Sequence, residues 1–223
     1  MCGRFVRSSP ISLIVEMFHV GSVISGASPS YNVAPSQEIL IINDRGQREL
    51  VHCRWGLLPP WIKDISEGNR LINARAETVD EKPSFKAAFK KQRCLIIADG
   101  FYEWSKKKQQ KVPYYLRLKS GRPFGFAGIY APWTSPEGSR LCSCAIITTE
   151  ANDLVASIHD RMPVIVPQEK VDIWLDPGFQ DEKALKDLLV PYPSEEMEMY
   201  RVSGRVNSPG VDSADNITPH DGS

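Results

Sequence analysis

The first apolar positions of the chain recur with the spacing of one helical face. Ser9 and Pro10 stand directly before them, and these residue types favour an N-cap and a first helical position. The positions on the face are Ile11, Ile14, Val15 and Phe18. A short amphipathic helix is therefore predicted after Pro10.

Short apolar runs separated by turn residues predict most of the remaining core. Residues 38–42 and 49–55 form a predicted hairpin around a polar turn at 43–46. Further strands are predicted at 93–98, 113–119, 124–130, 141–148 and 163–166. The segments between them are too short for crossover helices, so the sheet should be mainly antiparallel.

Helical patterns return in the last third of the chain, over residues 150–158, 168–175 and 181–189. The last stretch, 208–223, is rich in Pro, Gly, Asp and Ser, and we expect it to be a frayed tail. The predicted fold class is therefore α+β, with a mainly antiparallel sheet, a barrel-like or two-sheet core and a few peripheral helices. A single domain is expected over residues 1–207.

Length and composition describe an ordinary globular protein. The chain has 223 residues, 42% hydrophobic and 24% charged, which fits one large domain and excludes a disordered or collagen-like chain. No apolar run approaches the roughly 18 residues of a membrane-spanning helix, and the start of the chain has no signal-segment pattern. We therefore expect a cytoplasmic location, at the nucleoid if the source is bacterial, and no membrane partner.

The charge balance excludes a whole-molecule attraction to nucleic acid, because 27 basic residues face 27 acidic ones. The distribution is uneven, however, with seven basic residues and no acidic residue between Ser105 and Pro136. The lysine-rich run at 106–111 is, taken alone, typical of a solvated hairpin tip. The asymmetry still permits a local basic surface on a neutral protein.

Cysteine and histidine usage argues against disulfides and metals. Five cysteines in a chain without a secretory signal are expected to be free thiols. Cys142 and Cys144 flank one serine in a predicted strand, which puts both side chains on one face and indicates core packing. The four histidines are scattered, so we expect no metal and no other cofactor.

Cys2 offers the most specific chemistry in the chain. Its small side chain permits removal of Met1, which would leave an α-amine and a thiol on adjacent carbons. The pKa of an α-amine is about 7.7 to 8.0, so part of it is neutral at pH 7 and can attack an aldehyde. The thiol can then close the Schiff base into a five-membered thiazolidine. A cysteine at position 2 is weak evidence alone, because this side chain often serves only in packing.

Six motifs spread along the chain occur together in one known family. They are Cys2-Gly3-Arg4-Phe5, Tyr31-Asn32-Val33-Ala34-Pro35, Arg54-Trp55-Gly56-Leu57-Leu58-Pro59-Pro60-Trp61, Ile72-Asn73-Ala74-Arg75-Ala76-Glu77, Gly100-Phe101-Tyr102-Glu103-Trp104 and Ile158-His159-Asp160-Arg161. In this order they resemble the SOS-response-associated peptidase (SRAP) family, whose members act as abasic-site shields on single-stranded DNA. The resemblance covers nearly the whole chain.

The resemblance implies a covalent reaction with damaged DNA. Members of the family lose Met1 and use Cys2 to capture the ring-opened aldehyde of an abasic site, which gives a thiazolidine DNA–protein crosslink. By motif match, Asn73 orients the terminus or the sugar, and Glu103 and His159 handle protons. These residue types suit lyase-like Schiff-base chemistry, which takes a proton from the attacking amine and gives one to the departing hydroxyl.

Each of these three side chains has a structural alternative. Glu103 can be a surface carboxylate in a strand, although its aromatic neighbours favour a partly desolvated site, where burial would raise its pKa. His159 lies near a predicted helix end and can be a cap or a packing residue. Asn73 can be a turn former that bonds to its own backbone.

Candidate DNA contacts lie within a few residues of these positions. Arg4, Arg75 and Arg161 can hold backbone phosphates, although each can equally be a structural ion-pair partner, Arg161 with Asp160 especially. Trp61 and Pro35 offer apolar surfaces for unpaired bases, whereas a tryptophan in such a loop is otherwise usually in the core. Such contacts do not identify bases, so binding should tolerate any sequence, depend on salt and favour single strands.

Two other functions remain open from the sequence. The first is a cysteine-dependent peptidase, in which Cys2 attacks an amide with help from Glu103 or His159; self-removal of Met1 is one version of it. The second is a noncovalent single-strand DNA binder in which Cys2 has no chemical role. For the two functions that involve DNA, we expect single-stranded DNA as the partner. For all three functions, we expect no metal and a monomeric protein.

Overall fold

The computed structural model describes residues 2–23, 28–105 and 111–220. Met1, most of the lysine-rich run at 106–111 and the last three residues of the tail lie outside this part of the chain. The strands are β1 (Phe5–Arg7), β2 (Ser22–Val23), β3 (Ser30–Val33), β4 (Glu38–Asp44), β5 (Arg48–Trp55), β6 (Asn73–Arg75), β7 (Arg93–Ala98), β8 (Gly100–Ser105), β9 (Val112–Leu118), β10 (Phe124–Thr134), β11 (Arg140–Glu150), β12 (Arg161–Pro163), β13 (Ile165–Val166) and β14 (Met197–Arg201). The helices are α1 (Ile11–Phe18), α2 (Pro83–Lys91), α3 (Asp153–Ala156), α4 (Val171–Leu175) and α5 (Glu182–Asp187).

The strands form two sheets, and one of them closes on itself. The first sheet has the order β14-β9-β8-β1-β3. The second runs β12-β11-β10-β7-β4-β5-β2, and an additional parallel pairing between β11 and β5 closes its five central strands into a barrel. Most other pairings are antiparallel, and in two of them, β4 with β5 and β10 with β11, a short turn connects consecutive strands. The predicted α+β fold with a barrel-like, mainly antiparallel core is confirmed.

Some of the barrel strands, such as β4 and β7, are buried on both faces over most of their length, which is why they contain apolar runs in the sequence. β7 is the clearest case, since all six of its residues are buried. Leu95 and Ile97 belong to a core that includes residues of the helices, whereas Cys94 and Ile96 belong to a second core shared with the first sheet. Cys2 is a member of this second core.

The predicted hairpin and the predicted first helix are both present. β4 and β5 pair antiparallel across the turn, and α1 buries Ile14 and Phe18. The helix starts one residue later than expected, with Pro10 at the N-cap. Ser9 lies before the N-cap, and its backbone N–H and its hydroxyl both donate to the carboxylate of Asp99.

The expectation of free thiols is wrong for two of the five cysteines. Cys53 of β5 and Cys142 of β11 form a disulfide, with 4.7 Å between their Cα atoms. The two positions are opposite each other because β5 and β11 pair in parallel, in register at Arg54 and Ser143. Cys2, Cys94 and Cys144 are free and buried.

The expected frayed tail is held against the first sheet over its described part. The amide of Asn32 in β3 donates to the carbonyl of Ser208 at 2.9 Å and to that of Val211 at 2.7 Å. Asp212 accepts a hydrogen bond from the hydroxyl of Ser30, and Asn216 is 1% exposed. The frayed tail was expected because this segment has few large apolar residues. Hydrogen bonds of polar side chains order it instead.

Two further findings concern the described ranges, residues 2–23, 28–105 and 111–220. Every helix there is too short or too polar to cross a lipid bilayer. No group of three or more His, Cys, Asp or Glu side chains there is placed to hold a metal ion.

Candidate active site

Strand pairing brings the start of β1 next to Glu103. Phe5 of β1 pairs with Phe101 of β8, so the antiparallel register carries Glu103 beside the residues that precede Phe5. The backbone N–H of Tyr102 donates to the carbonyl of Arg4 at 3.0 Å and fixes this register. Cys2 therefore lies at the end of the first sheet, with Glu103 on the adjacent strand.

Asn73 reaches the same place from the second sheet. It begins β6, which pairs in parallel with β11 opposite Ile146. Its side-chain amide donates to the carbonyl of Cys2 at 2.8 Å, which joins the two sheets at the site. Its Oδ1 is buried and accepts no hydrogen bond from the described residues. Asn73 thus holds the cysteine backbone and presents an acceptor, instead of forming a turn.

Glu103 is a buried carboxyl group, 3% exposed, between aromatic neighbours of β8. Burial raises its pKa, and the nearby charge of His159 lowers it in part. A carboxyl group with a raised pKa can hold a proton near neutral pH and release it, as proton transfer requires. The surface alternative for Glu103 is therefore wrong.

His159 lies in the loop between α3 and β12. Its Nδ1 accepts the backbone N–H of Arg161 at 3.0 Å and lies 3.0 Å from Oδ1 of Asp160. The ring also interacts electrostatically with Glu103, so a carboxyl group and an imidazole share the site with Cys2.

The Cys2 thiol is fully buried. Burial raises its pKa strongly, and the negative charge of Glu103 raises it further. Its Sγ is 3.9 Å from the carbonyl oxygen of Arg4, to which it donates. The sulfur is therefore a protonated thiol at neutral pH, which makes it a poor nucleophile until a base removes its proton.

We expect Glu103→Gln to stabilise the fold at neutral pH. A carboxyl group with a raised folded-state pKa binds its proton more tightly in the folded chain, so stability falls as pH rises above 4.5, its ordinary value, towards the raised one. Gln has the shape of the protonated acid and avoids this loss, which is about 1.4 kcal/mol for every tenfold gain in proton affinity on folding. Urea unfolding of both proteins from pH 4 to pH 8 measures the difference.

The increase in the free energy of unfolding caused by Glu103→Gln should be small at pH 4 and larger at pH 7. Glu198→Gln provides a control, because Glu198 is a partly exposed carboxylate that pairs with Arg117 on β9 at 2.6 Å. That substitution should not stabilise the protein at any pH. Equal effects of Glu103→Gln at both pH values would contradict the raised pKa.

Two of the three candidate phosphate-binding arginines make internal contacts. Arg4 donates through Nη1 to Oδ1 of Asn32 at 2.7 Å and to the carbonyl of Val206 at 2.8 Å. Its guanidinium also lies over the ring of Trp104, 5.8 Å from the centroid. These bonds tie β1 to β3 and to the C-terminal segment, close to Cys2.

Arg161 forms a two-point ion pair, but its partner is Glu77 and not Asp160. Its Nη1 and Nη2 lie 2.5 and 3.0 Å from the two carboxylate oxygens, and Nη2 also donates to the carbonyl of Thr148 at 2.6 Å. Since Arg161 also donates its backbone N–H to His159, this pair fixes the loop that carries the imidazole. The motif that contains Asn73 also contains Glu77, but the sequence alone did not indicate that Glu77 pairs with Arg161.

The remaining candidate DNA contacts lie at the surface. Arg75 is exposed at the end of β6, two residues after Asn73. Pro35 is half-buried in the turn after β3. Trp61 is 58% exposed, so it is not a core tryptophan, and Ile65, at the start of the 3-10 helix that follows, is 42% exposed. The described part of the chain thus exposes a cation at Arg75 and an aromatic surface at Trp61.

Comparisons with known proteins show which proteins this chain is similar to. A family model described as SOS response associated peptidase (SRAP) matches residues 1–209. The abasic site processing protein YoqW of Bacillus subtilis (strain 168) is 48% identical over 224 residues, which cover 99% of this chain and 100% of that protein. The abasic site processing protein HMCES of Rattus norvegicus is 33% identical over 86% of this chain and 65% of that protein. A crystal structure of a Bacteroides thetaiotaomicron protein superposes with a TM-score of 0.89 at 28% identity, over 98% of this chain and 100% of that one.

Proposed function

The chain belongs to the SOS response associated peptidase (SRAP) family, and from this premise we propose that it processes abasic sites in single-stranded DNA through a covalent bond to Cys2. The observation that carries the proposal is the hydrogen bond from Asn73 to the Cys2 carbonyl, beside the buried Glu103 and close to His159. Four separate segments of the chain meet there. Relatives named abasic site processing proteins support the substrate.

The reaction proceeds in two steps after Met1 has been removed. The α-amine of Cys2 attacks the aldehyde carbon of the ring-opened sugar, and loss of water gives a Schiff base. The Cys2 sulfur then forms a bond to the imine carbon while its proton goes to the nitrogen, which closes the thiazolidine. Glu103 and His159 move the protons in these steps, and the free Oδ1 of Asn73 accepts a hydrogen bond from the terminus or the sugar.

The state of the Cys2 thiol favours this chemistry over peptide hydrolysis. A cysteine peptidase needs a thiolate, whereas burial and Glu103 keep the Cys2 thiol protonated. In the Schiff-base route the amine attacks first, and the thiol reacts only once an imine carbon is held next to it. The peptidase alternative is thus kept for the removal of Met1 alone.

Intact-mass measurement tests whether the protein removes its own Met1. If Glu103 assists a self-cleavage, the Glu103→Gln variant should retain Met1 while the wild type has lost it. Loss of Met1 from both proteins assigns the step to the usual processing enzymes and contradicts self-cleavage.

We further propose that the strand is held by contacts that do not identify bases. Arg75 binds phosphate, and Trp61 and Pro35 provide surfaces for bases next to the lesion. Arg4 and Arg161 contribute positive charge near Cys2 while they hold the site together. Binding is then tolerant of sequence and weakens as salt increases.

Trp61→Ala should weaken the binding of intact single-stranded DNA about 5- to 150-fold, since a stacked base contributes about 1 to 3 kcal/mol. Val190→Ala is the control, because Val190 is 54% exposed on a different segment. Fluorescence anisotropy with a labelled oligonucleotide at fixed salt measures both variants. Unchanged affinity for Trp61→Ala would remove Trp61 from the DNA surface.

The proposed function is tested by mixing the protein with matched abasic and intact oligonucleotides. A denaturing gel should show an adduct only with the abasic strand, and its mass should equal protein without Met1 plus DNA minus one water. Retention of both strands on a native gel, with no adduct after denaturation, would contradict the covalent function and support a noncovalent binder.

A further inference from the structure

Trp55 at the end of β5 touches three segments that each carry a candidate site residue. It is fully buried, in the same core as Cys2. Its backbone N–H donates to the carbonyl of Gln37 at 2.9 Å, and its own carbonyl accepts the N–H of Ser36 at 2.8 Å. These two bonds hold the turn that contains Pro35.

The indole of Trp55 makes a second contact, next to Asn73. Its Nε1–H donates to the carbonyl of Ile72 at 3.0 Å. The same carbonyl accepts the backbone N–H of Ile146 from β11, also at 3.0 Å. Both lone pairs of the Ile72 carbonyl are thus used, which fixes the peptide from which Asn73 reaches the Cys2 carbonyl.

The ring of Trp55 makes the third contact, with β1. Its centroid is 5.2 Å from that of Phe5, with the two planes inclined at 60°. Phe5 is 1% exposed and lies three residues after Cys2. The chain between Cys2 and Phe5 is short, so the packing of this pair limits where the cysteine can lie.

We infer that Trp55 is a positioning residue for the crosslinking reaction, acting through Ile72 on Asn73 and through Phe5 on Cys2. This inference rests on the proposed function. The indole N–H is the part that a smaller aromatic ring cannot supply. Without it, the Ile72 carbonyl loses one of two hydrogen bonds in a buried place, and the Asn73 amide loses its fixed position against Cys2. A shift of well under 1 Å at such a contact is enough to slow a reaction between held groups.

The test replaces Trp55 by Phe, which retains a ring to pack on Phe5 and removes the N–H. The rate of adduct formation at saturating abasic single strand should fall at least tenfold, while the affinity for the intact strand changes less than twofold. A merely structural role would lower the unfolding temperature and leave the rate of the folded protein unchanged.

Trp174→Phe is the matched control. Trp174 is also fully buried, donates its indole N–H to a backbone carbonyl, that of Cys94, at 2.9 Å, and packs against Phe89 at 6.2 Å. It belongs to the core under the helices, away from Cys2. Trp174→Phe should therefore lose stability and retain the wild-type rate.

A second variant covers the case in which Trp55→Phe does not fold. Replacement of Trp55 by β-(3-benzothienyl)alanine retains the shape of the indole and exchanges only the N–H for sulfur. The rate of adduct formation should again fall at least tenfold. If either folded variant forms the adduct at the wild-type rate, the role of Trp55 is wrong. The proposed function still holds in that case, because the wild type forms the adduct. If the wild type forms no adduct, both proposals fall.

Discussion

Cys2→Ala protein is expected to form no adduct with abasic single-stranded DNA that survives denaturation. The variant retains the α-amine once Met1 is removed, since alanine is as small as cysteine at position 2, so a Schiff base can still form. It lacks the sulfur that closes the ring, and an open imine returns to aldehyde and amine in water. A denaturing gel should therefore lose the band of the wild type, a decrease of at least 100-fold in yield.

Reduction with borohydride separates the two steps of this prediction. The reductant converts an imine into a stable secondary amine, so it should restore a band for Cys2→Ala and change that of the wild type little. Cys144→Ala is the control, because Cys144 is also a free, fully buried cysteine and belongs to the same core as Cys2. A wild-type yield from Cys2→Ala without reductant would show that the assignment of Cys2 is wrong.

Local patterns predicted the parts of the fold that neighbouring residues in the chain determine. The hairpin of β4 and β5 has its turn residues between its two strands, and α1 has its apolar face within eight residues. The element α2 was missed although it has Pro83 at its first turn and buries Phe85 and Phe89 four residues apart. The signal was therefore present in the sequence, as a proline in the first turn and an i, i+4 apolar pair.

The parallel pairing of β5 with β11 could not be predicted from local patterns. The two strands are about 90 residues apart, and their register depends on how the whole barrel closes. The disulfide between Cys53 and Cys142 follows from that register, which is why counting cysteines gave the opposite answer. The C-terminal segment is a similar case, because the hydrogen bonds of Asn32 to Ser208 and Val211 join distant parts of the chain.

In the candidate site too, neighbouring residues predicted some features, whereas others depend on residues that are distant in the chain. The aromatic neighbours of Glu103 indicated a desolvated carboxyl group, and the structure confirms its burial. The contacts of Arg4 and Arg161 were not predictable, because Asn32 and Glu77 lie far from them in the chain. An arginine in a motif gives the charge at the site, but only the fold decides which carboxylate or carbonyl it binds.

Glu103→Gln should slow adduct formation about 10²- to 10⁴-fold, the usual contribution of a positioned acid or base. Gln fills the same buried space and can donate a hydrogen bond, but it can neither accept the proton of the attacking amine nor give one to the departing hydroxyl. The same substitution is expected to stabilise the fold at neutral pH, because burial raises the pKa of Glu103. Glu103→Gln is thus expected to increase the stability of the fold and to lower the rate of adduct formation.

These opposite signs distinguish a proton-transfer group from a structural one. Single-turnover rates with abasic single strand, measured from pH 5 to pH 8, should show a titration in the wild type above the ordinary range of a carboxyl group, and Glu103→Gln should lack it. His159→Ala should also slow the reaction, and because His159 and Glu103 interact, the double variant should be less impaired than the product of the two effects. Glu198→Gln, in the partly exposed ion pair between β14 and β9, should retain the wild-type profile. A Glu103→Gln protein that is more stable and equally fast would leave Glu103 as a buried carboxyl group without a part in the reaction, and His159 would then have to transfer both protons.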